Sequence, residues 1–126
     1  MKDYTKVLLV EENPLTQLQN NVLLKQFGCI VDIAKNGKQA LQKSKGKYDI
    51  IFMNIGLPDI SGIQVTKTIR NHESKKEHVP IVAISAIDEQ RYFDECIASG
   101  MDTALAKPLT LAKIKETLGL LSPVRL

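Results

Sequence analysis

The chain has 126 residues, 44% of them hydrophobic and 25% charged, with a formal net charge of +3. These are the values of an ordinary soluble globular protein with room for one domain and its own core, and a charge this small is no argument for nucleic acid. No stretch reaches the ~18 apolar residues of a membrane span and no secretory leader pattern opens the chain. Cys29 and Cys96 stand too far apart for a CxxC or zinc spacing, so two reduced, buried thiols and a cytoplasmic location are expected.

Lys6 to Val10, KVLLV, is an apolar run of strand length that stops at two acids, Glu11 and Glu12. Asn13-Pro14 then supplies a helix N-cap followed by proline at the first helical position. Leu15, Leu18, Val22, Leu23 and Phe27 recur at helical spacing and predict the apolar stripe of a first helix, with Gly28 at its C′ position. Ile30 to Ala34 reads as a second strand and Asn36-Gly37 as a turn. Ala40, Leu41 and Ser44 put a short stripe on a second helix.

The stretch from Tyr48 to Gly62, YDIIFMNIGLPDISG, organises the rest. Its run Ile50-Ile51-Phe52-Met53 predicts a strand covered on both faces, ending in the polar Asn54. Pro58 and Gly62 break the chain before a third helix through Ile63, Thr66, Ile69 and Arg70. Asp59 reads as a turn residue. The polar run 71–78, NHESKKEH, predicts a solvated loop with His72 and His78 as surface residues.

Pro80 to Ile84 is a fourth strand, ending in Ser85-Ala86. Asp88 is placed to cap a fourth helix on which Tyr92, Phe93, Cys96 and Ile97 share a face, and Gly100 closes it. Thr103 to Ala106 is a short fifth strand ending in Lys107-Pro108. The last helix carries Leu111, Ile114, Leu118 and Leu121, and residues 122–126 read as a frayed tail. No repeat, low-complexity tract or linker interrupts the chain.

Five strands alternating with five helices predict a doubly wound parallel sheet, an α/β fold forming one domain over residues 1–126. In such a sheet all carboxyl ends lie on one edge. Glu11, Glu12, Asn54, Ser85 and Lys107 are then expected to converge: two carboxylates, an amide, a hydroxyl and an ammonium. A nucleotide or flavin site on this fold would want a glycine-rich or hydroxyl-rich phosphate loop after the first strand. Glu11-Glu12-Asn13-Pro14 would repel phosphates there. Direct nucleic-acid binding has only Lys67, Arg70, Lys75 and Lys76 to suggest it.

The segments VLLVEEN and FMNIGLPDISG, the pair Ser85-Ala86 and the pair Lys107-Pro108 resemble the response-regulator receiver domain of two-component signalling. The resemblance covers essentially the whole chain and implies a five-stranded flavodoxin-like fold that takes a phosphoryl group from a histidine kinase or phosphotransfer domain. It further implies that Glu11 and Glu12 help bind Mg2+, with Gly56 lending its backbone carbonyl. Position 54 would be the phosphoacceptor and metal ligand, Ser85 would contact the phosphoryl group, and Lys107 would pair with it. Pro108 would follow through a cis bond. The phrase IGLPD-x-SG is similar to receivers of hybrid histidine kinases; with the sequence ending after the fifth helix, no DNA-binding output domain is expected, which leaves a stand-alone receiver or one cut from a longer protein.

Three positions depart from the family pattern. Asn54 stands where the family has aspartate, and a neutral amide has no anionic oxygen to attack phosphorus. Glu12 stands where aspartate is typical, and Ala104 where many members carry a switch tyrosine or phenylalanine. Weakened Mg2+ binding is expected. Asn54 suits either a naturally degenerate receiver or a deliberate isosteric change, and Glu12 and Ala104 favour the former. The alternative function is a phosphorylation-independent protein-interaction module, with the face around Tyr92, Phe93 and Ile97 as its docking surface.

Overall fold

The computed structural model describes residues 4–74 and 77–121. Five strands, β1 (Lys6–Val10), β2 (Ile30–Ala34), β3 (Ile50–Asn54), β4 (Ile81–Ser85) and β5 (Thr103–Ala106), form one parallel sheet in the order β2-β1-β3-β4-β5. Between and after them run α1 (Pro14–Lys25), α2 (Gly37–Lys43), α3 (Gly62–His72), α4 (Gln90–Ala98) and α5 (Leu111–Leu121). The alternation expected from the sequence is therefore the architecture, a flavodoxin-like doubly wound α/β fold.

Strand side chains alternate between two cores because successive residues point to opposite faces. Val7, Leu9, Ile50, Phe52, Val82 and Ile84 pack with Leu24 of α1 and with Ile114 and Leu118 of α5. Leu8, Val10, Ile51, Met53, Ile81 and Ala83 pack on the other face with Ala40, Val65, Ile69 and Cys96 of α2 to α4. Every residue of β3 and β4 is buried, which is why those segments are apolar without alternation.

The helix faces differ from expectation in places. On α1 the stripe Leu15, Leu18 and Val22 points outward, with exposures of 63%, 60% and 51%. The inward face instead runs through Gln17, Asn20, Leu24 and Phe27. Its polar members lie toward the carboxyl edge of the sheet, where Gln17 Nε2 donates to the Glu11 carbonyl at 2.7 Å. Gly28 has φ +74° but lies two residues beyond the cap Gln26 rather than at C′. Gly100, with φ +115°, follows the α4 cap Ser99 as expected.

Asp88 does not cap α4: the cap position is Glu89, with no side-chain bond to the helix. Ile97 and Leu111 are exposed rather than inward. The third helix runs to His72, so Asn71 and His72 are helical rather than loop. His78 is exposed, as expected, and its Nε2 lies 2.8 Å from Asp102 Oδ1. Lys75, Lys76 and the expected frayed tail 122–126 lie outside the described residues. Among the described residues no helix is long and apolar enough to cross a membrane.

Candidate functional site

The carboxyl ends of β1 and β3 are neighbours at the point where the strand order reverses, the place where this class of sheet leaves a crevice. Glu11 follows β1 directly and is 1% exposed. Its Oε2 accepts the Asn13 N–H at 3.0 Å, so the turn into α1 holds the carboxylate inward. Oε1 makes no hydrogen bond and faces Lys107 Nζ at 3.5 Å. Burial pushes the Glu11 carboxyl above its ordinary 4.5, against the Asn13 N–H and the Lys107 charge, while Glu12 adds to the rise.

Asn54 ends β3 and is 2% exposed. Its Nδ2 donates to Glu12 Oε2 at 2.7 Å and makes longer contacts of 3.4 Å each with Glu11 Oε2 and the Gly56 carbonyl. Two carboxylates and a backbone carbonyl thus converge on one amide nitrogen. That set fixes the amide's orientation, because the reverse would put its oxygen among three acceptors.

The other two strand ends complete the edge. The Lys107–Pro108 bond is cis, and the Lys107 N–H donates to the Ser85 carbonyl at 2.8 Å. Ser85 is 3% exposed, and its hydroxyl is engaged locally, accepting the Ile87 N–H at 2.9 Å. Glu11, Glu12, Asn54, Gly56 and Lys107 are therefore brought together by direct contact, and Ser85 is tied to Lys107 through the backbone. Ala104 carries only a methyl group where it packs at the edge of the α2–α4 core.

One residue at this edge has a role the sequence did not reveal. Asp59, expected as a turn residue, accepts the N–H groups of Gly37 and Lys38 and so caps α2 from the loop after β3. Asn36 already signals a local cap, accepting from Gln39 N, and no pattern in the chain announces a second one 22 residues away. Gly62 is required where the loop enters α3, because a Cβ there would strike the Asn54 carbonyl and the Ile55 Cα.

Hard divalent cations take oxygen donors, and the Glu11, Glu12 and Gly56 oxygens are of that kind. They do not fit such an ion as they stand, because the donor group of Asn54 occupies the point on which they converge. Binding would require the amide to reverse and its 2.7 Å bond to break. Among the described residues no group of three or more His, Cys, Asp or Glu side chains could hold a metal.

A parallel sheet in this order, with acids after β1, a polar end on β3 and a lysine after β5 at one crevice, defines a receiver-type α/β signalling module. The chain matches the response regulator receiver domain family over residues 7–119 and belongs to that family, whose members are signalling modules rather than enzymes.

It is 37% identical over 117 residues to hybrid signal transduction histidine kinase A of Dictyostelium discoideum, covering 90% of this chain and 5% of that protein. Against the aerobic respiration control sensor protein ArcB of Escherichia coli K12 the identity is 35% over 109 residues, covering 83% and 14%. The chain thus spans a small part of the curated relatives it matches. The receiver domain of sensor histidine kinase PA1611 from Pseudomonas aeruginosa, solved with magnesium coordinated in its active-site cleft, superposes with a TM-score of 0.83. That pair is 33% identical, over 93% of this chain and 96% of the other. The co-crystal structure of Saccharomyces cerevisiae Ypd1, a histidine phosphotransfer protein, with the receiver domain of Ssk1 gives a TM-score of 0.86. Identity there is 27%, over 97% of this chain and 91% of the matched chain.

Proposed function

We propose that this chain is the receiver module of a two-component phosphorelay in which Asn54 replaces the phosphoacceptor, so that the domain is not phosphorylated as it stands. The observation that carries this reading is the Asn54 amide, turned into the acidic pair with its nitrogen 2.7 Å from Glu12 Oε2. Phosphoryl transfer needs an in-line nucleophile and cations to offset charge on the transferring oxygens. An amide supplies no anionic oxygen, and here its donor side faces the acids. The remaining assignments are Glu11, Glu12 and the Gly56 carbonyl as metal ligands, with Ser85 and Lys107 directed at a phosphoryl group. Mg2+ binding is weakened by the amide and by the longer Glu12.

The partner is a histidine kinase or a phosphotransfer domain, and the parent is a hybrid histidine kinase acting in the cytoplasm. The hybrid kinases among the relatives and the Ypd1–Ssk1 complex support the partner and the parent. Nucleic acid and membrane are not partners of this domain.

The second reading, a module that binds its partner without phosphorylation, is favoured by the outward row Leu15, Leu18 and Val22 on α1. A groove of about 650 Å³ runs beside it, bounded by Leu18, Val22, Lys107, Pro108 and Leu109. For this reading α1 offers a second docking face beside the one around Tyr92, Phe93 and Ile97.

Intact-mass measurement after exposure to Mg2+ and a small-molecule phosphodonor tests the first reading. The unmodified chain should gain no phosphoryl group and Asn54→Asp should gain one. Labelling of the unmodified chain would overturn the account of position 54. Silence of both chains would favour the binding module.

A further inference from the structure

We infer that the Asn54 amide is a resident substitute for a divalent cation, and that Asn54 and Glu12 are a matched pair that keeps the acidic crevice hydrogen-bonded without metal. The inference rests on the receiver reading for what a cation would do at this place, but its geometry stands on its own. Three oxygens converge on Nδ2: Glu12 Oε2 at 2.7 Å, and Glu11 Oε2 and the Gly56 carbonyl at 3.4 Å each. Two carboxylates and a backbone carbonyl around one point is the arrangement a hard cation would draw together. Here an N–H group holds that point.

The two acids have separate partners, and with one ammonium between them the crevice keeps one net negative charge. Glu11 Oε1 faces the Lys107 ammonium, and Glu11 Oε2 takes the Asn13 N–H. Glu12 has Asn54 as its close partner. Glu12 follows a buried residue yet is itself exposed, so its carboxylate has to reach back over the crevice to meet the amide. Its side chain is one methylene longer than an aspartate, and that length serves the reach. The two departures at positions 12 and 54 therefore compensate each other: the longer acid meets the neutral donor, and neither depends on an ion.

An aspartate at position 54 would deepen the negative excess. Three carboxylates would crowd the point that Nδ2 now fills, with only Lys107 to offset them, and the crevice would then demand a cation. The pair thus makes the ground state of this domain independent of divalent metal, whatever its partner.

Thermal unfolding of four chains, with and without millimolar MgCl2, tests this: unmodified, Asn54→Asp, Glu12→Gln and the double variant. Mg2+ should leave the unmodified chain's Tm within about 1 °C and raise that of Asn54→Asp by several degrees, on the order of 3–6 °C for a domain of this size. Without metal, Glu12→Gln should lower Tm in the unmodified background and raise it in the Asn54→Asp background, because the same carboxylate is a partner in one and a repeller in the other. The same sign in both backgrounds, or an unmodified chain stabilised by Mg2+ as much as Asn54→Asp, would overturn the inference.

If a variant fails to fold, the unmodified chain alone decides through its Asn54 side-chain NH2 resonances. Slow exchange and shifts insensitive to MgCl2 support the pair, whereas fast exchange or a metal-dependent shift refutes it. Phosphorylation of the unmodified chain would remove the functional reading and leave the sign of the Glu12→Gln effect to judge the pair separately.

Discussion

The Asp59 carboxylate caps a helix that begins 22 residues earlier: Oδ1 accepts the Gly37 N–H at 2.7 Å, and Oδ2 accepts the Lys38 N–H at 2.9 Å. The loop that carries the Gly56 carbonyl is thereby tied to the first turn of α2. A carboxylate at a helix N-terminus meets unsatisfied N–H groups and the positive end of the helix dipole.

Those N–H groups hold the Asp59 carboxyl below its ordinary 3.8, Gly37 contributing most and Lys38 next. Folding therefore favours the ionised form. The stabilisation is fully present above the unfolded value and is lost as pH falls through the lower folded value. Asp59→Asn should remove that part of the acid sensitivity. Urea midpoints at neutral pH and at about pH 3 should draw closer together in the variant than in the parent; an unchanged gap would mean that the cap contributes nothing.

Two glycines should respond oppositely to alanine. A Cβ at Gly62 meets the Asn54 carbonyl, the Ile55 Cα and the Met53 Cγ, two of them backbone atoms with little freedom to yield. Gly62→Ala should cost about 1–3 kcal/mol, as overpacking does. Gly119 lies exposed in α5 with open space around it. Gly119→Ala should stabilise by about 0.5–1 kcal/mol through helix propensity. Denaturant unfolding of both variants measures the contrast.

Arg70 joins three elements at the opposite edge of the sheet. It pairs with Glu73 at 2.8 Å and Asp102 at 3.0 Å, and its Nε donates to the Gly100 carbonyl at 2.8 Å. The side chain is only 15% exposed, so Arg70→Met keeps the stem but takes the guanidinium from two partly buried carboxylates that also hold Val79 N and Ile81 N. A loss of about 2–3 kcal/mol is expected, the scale of hydrogen bonds to partly buried charges. A loss within about 0.5 kcal/mol would show that solvent replaces Arg70 without penalty.

Leu18 separates docking from folding. At 60% exposure it adds little to the core, so Leu18→Asp should change stability by no more than about 0.5 kcal/mol. If α1 is the docking face, the same change should weaken binding of a phosphotransfer domain by tenfold or more, read by calorimetry. Unchanged binding would move the interface elsewhere.

The two thiols should be inert in the folded chain. Burial pushes Cys29 up to about 11 and raises Cys96, whose side chain is fully enclosed. The thiolate is the reactive species, so a thiol reagent at pH about 8 should label neither residue until the protein is unfolded. Rapid labelling of either thiol under native conditions would contradict the packing around it.

The sequence determined the strands and their order of polar ends. KVLLV and IIFMN are apolar runs of strand length ending in polar residues, and parallel alternation alone puts every such end on one edge. For that reason Glu11, Glu12, Asn54, Ser85 and Lys107 are legible as one edge in the chain alone. Only the tertiary structure decided which face of α1 turns inward. The apolar count favoured Leu15, Leu18 and Val22, whereas packing selected Asn20 and Leu24, because the direction of a helix's inward face is set by the sheet beneath it.

Tertiary structure also decided that Asp59 caps a distant helix and that the Asn54 nitrogen, 42 residues from Glu12, lies within hydrogen-bond reach of it. Periodicity reports neighbours three, four or two residues apart. A hydrogen bond between groups from separate strand ends depends on register and side-chain reach, which exist only once the sheet has formed.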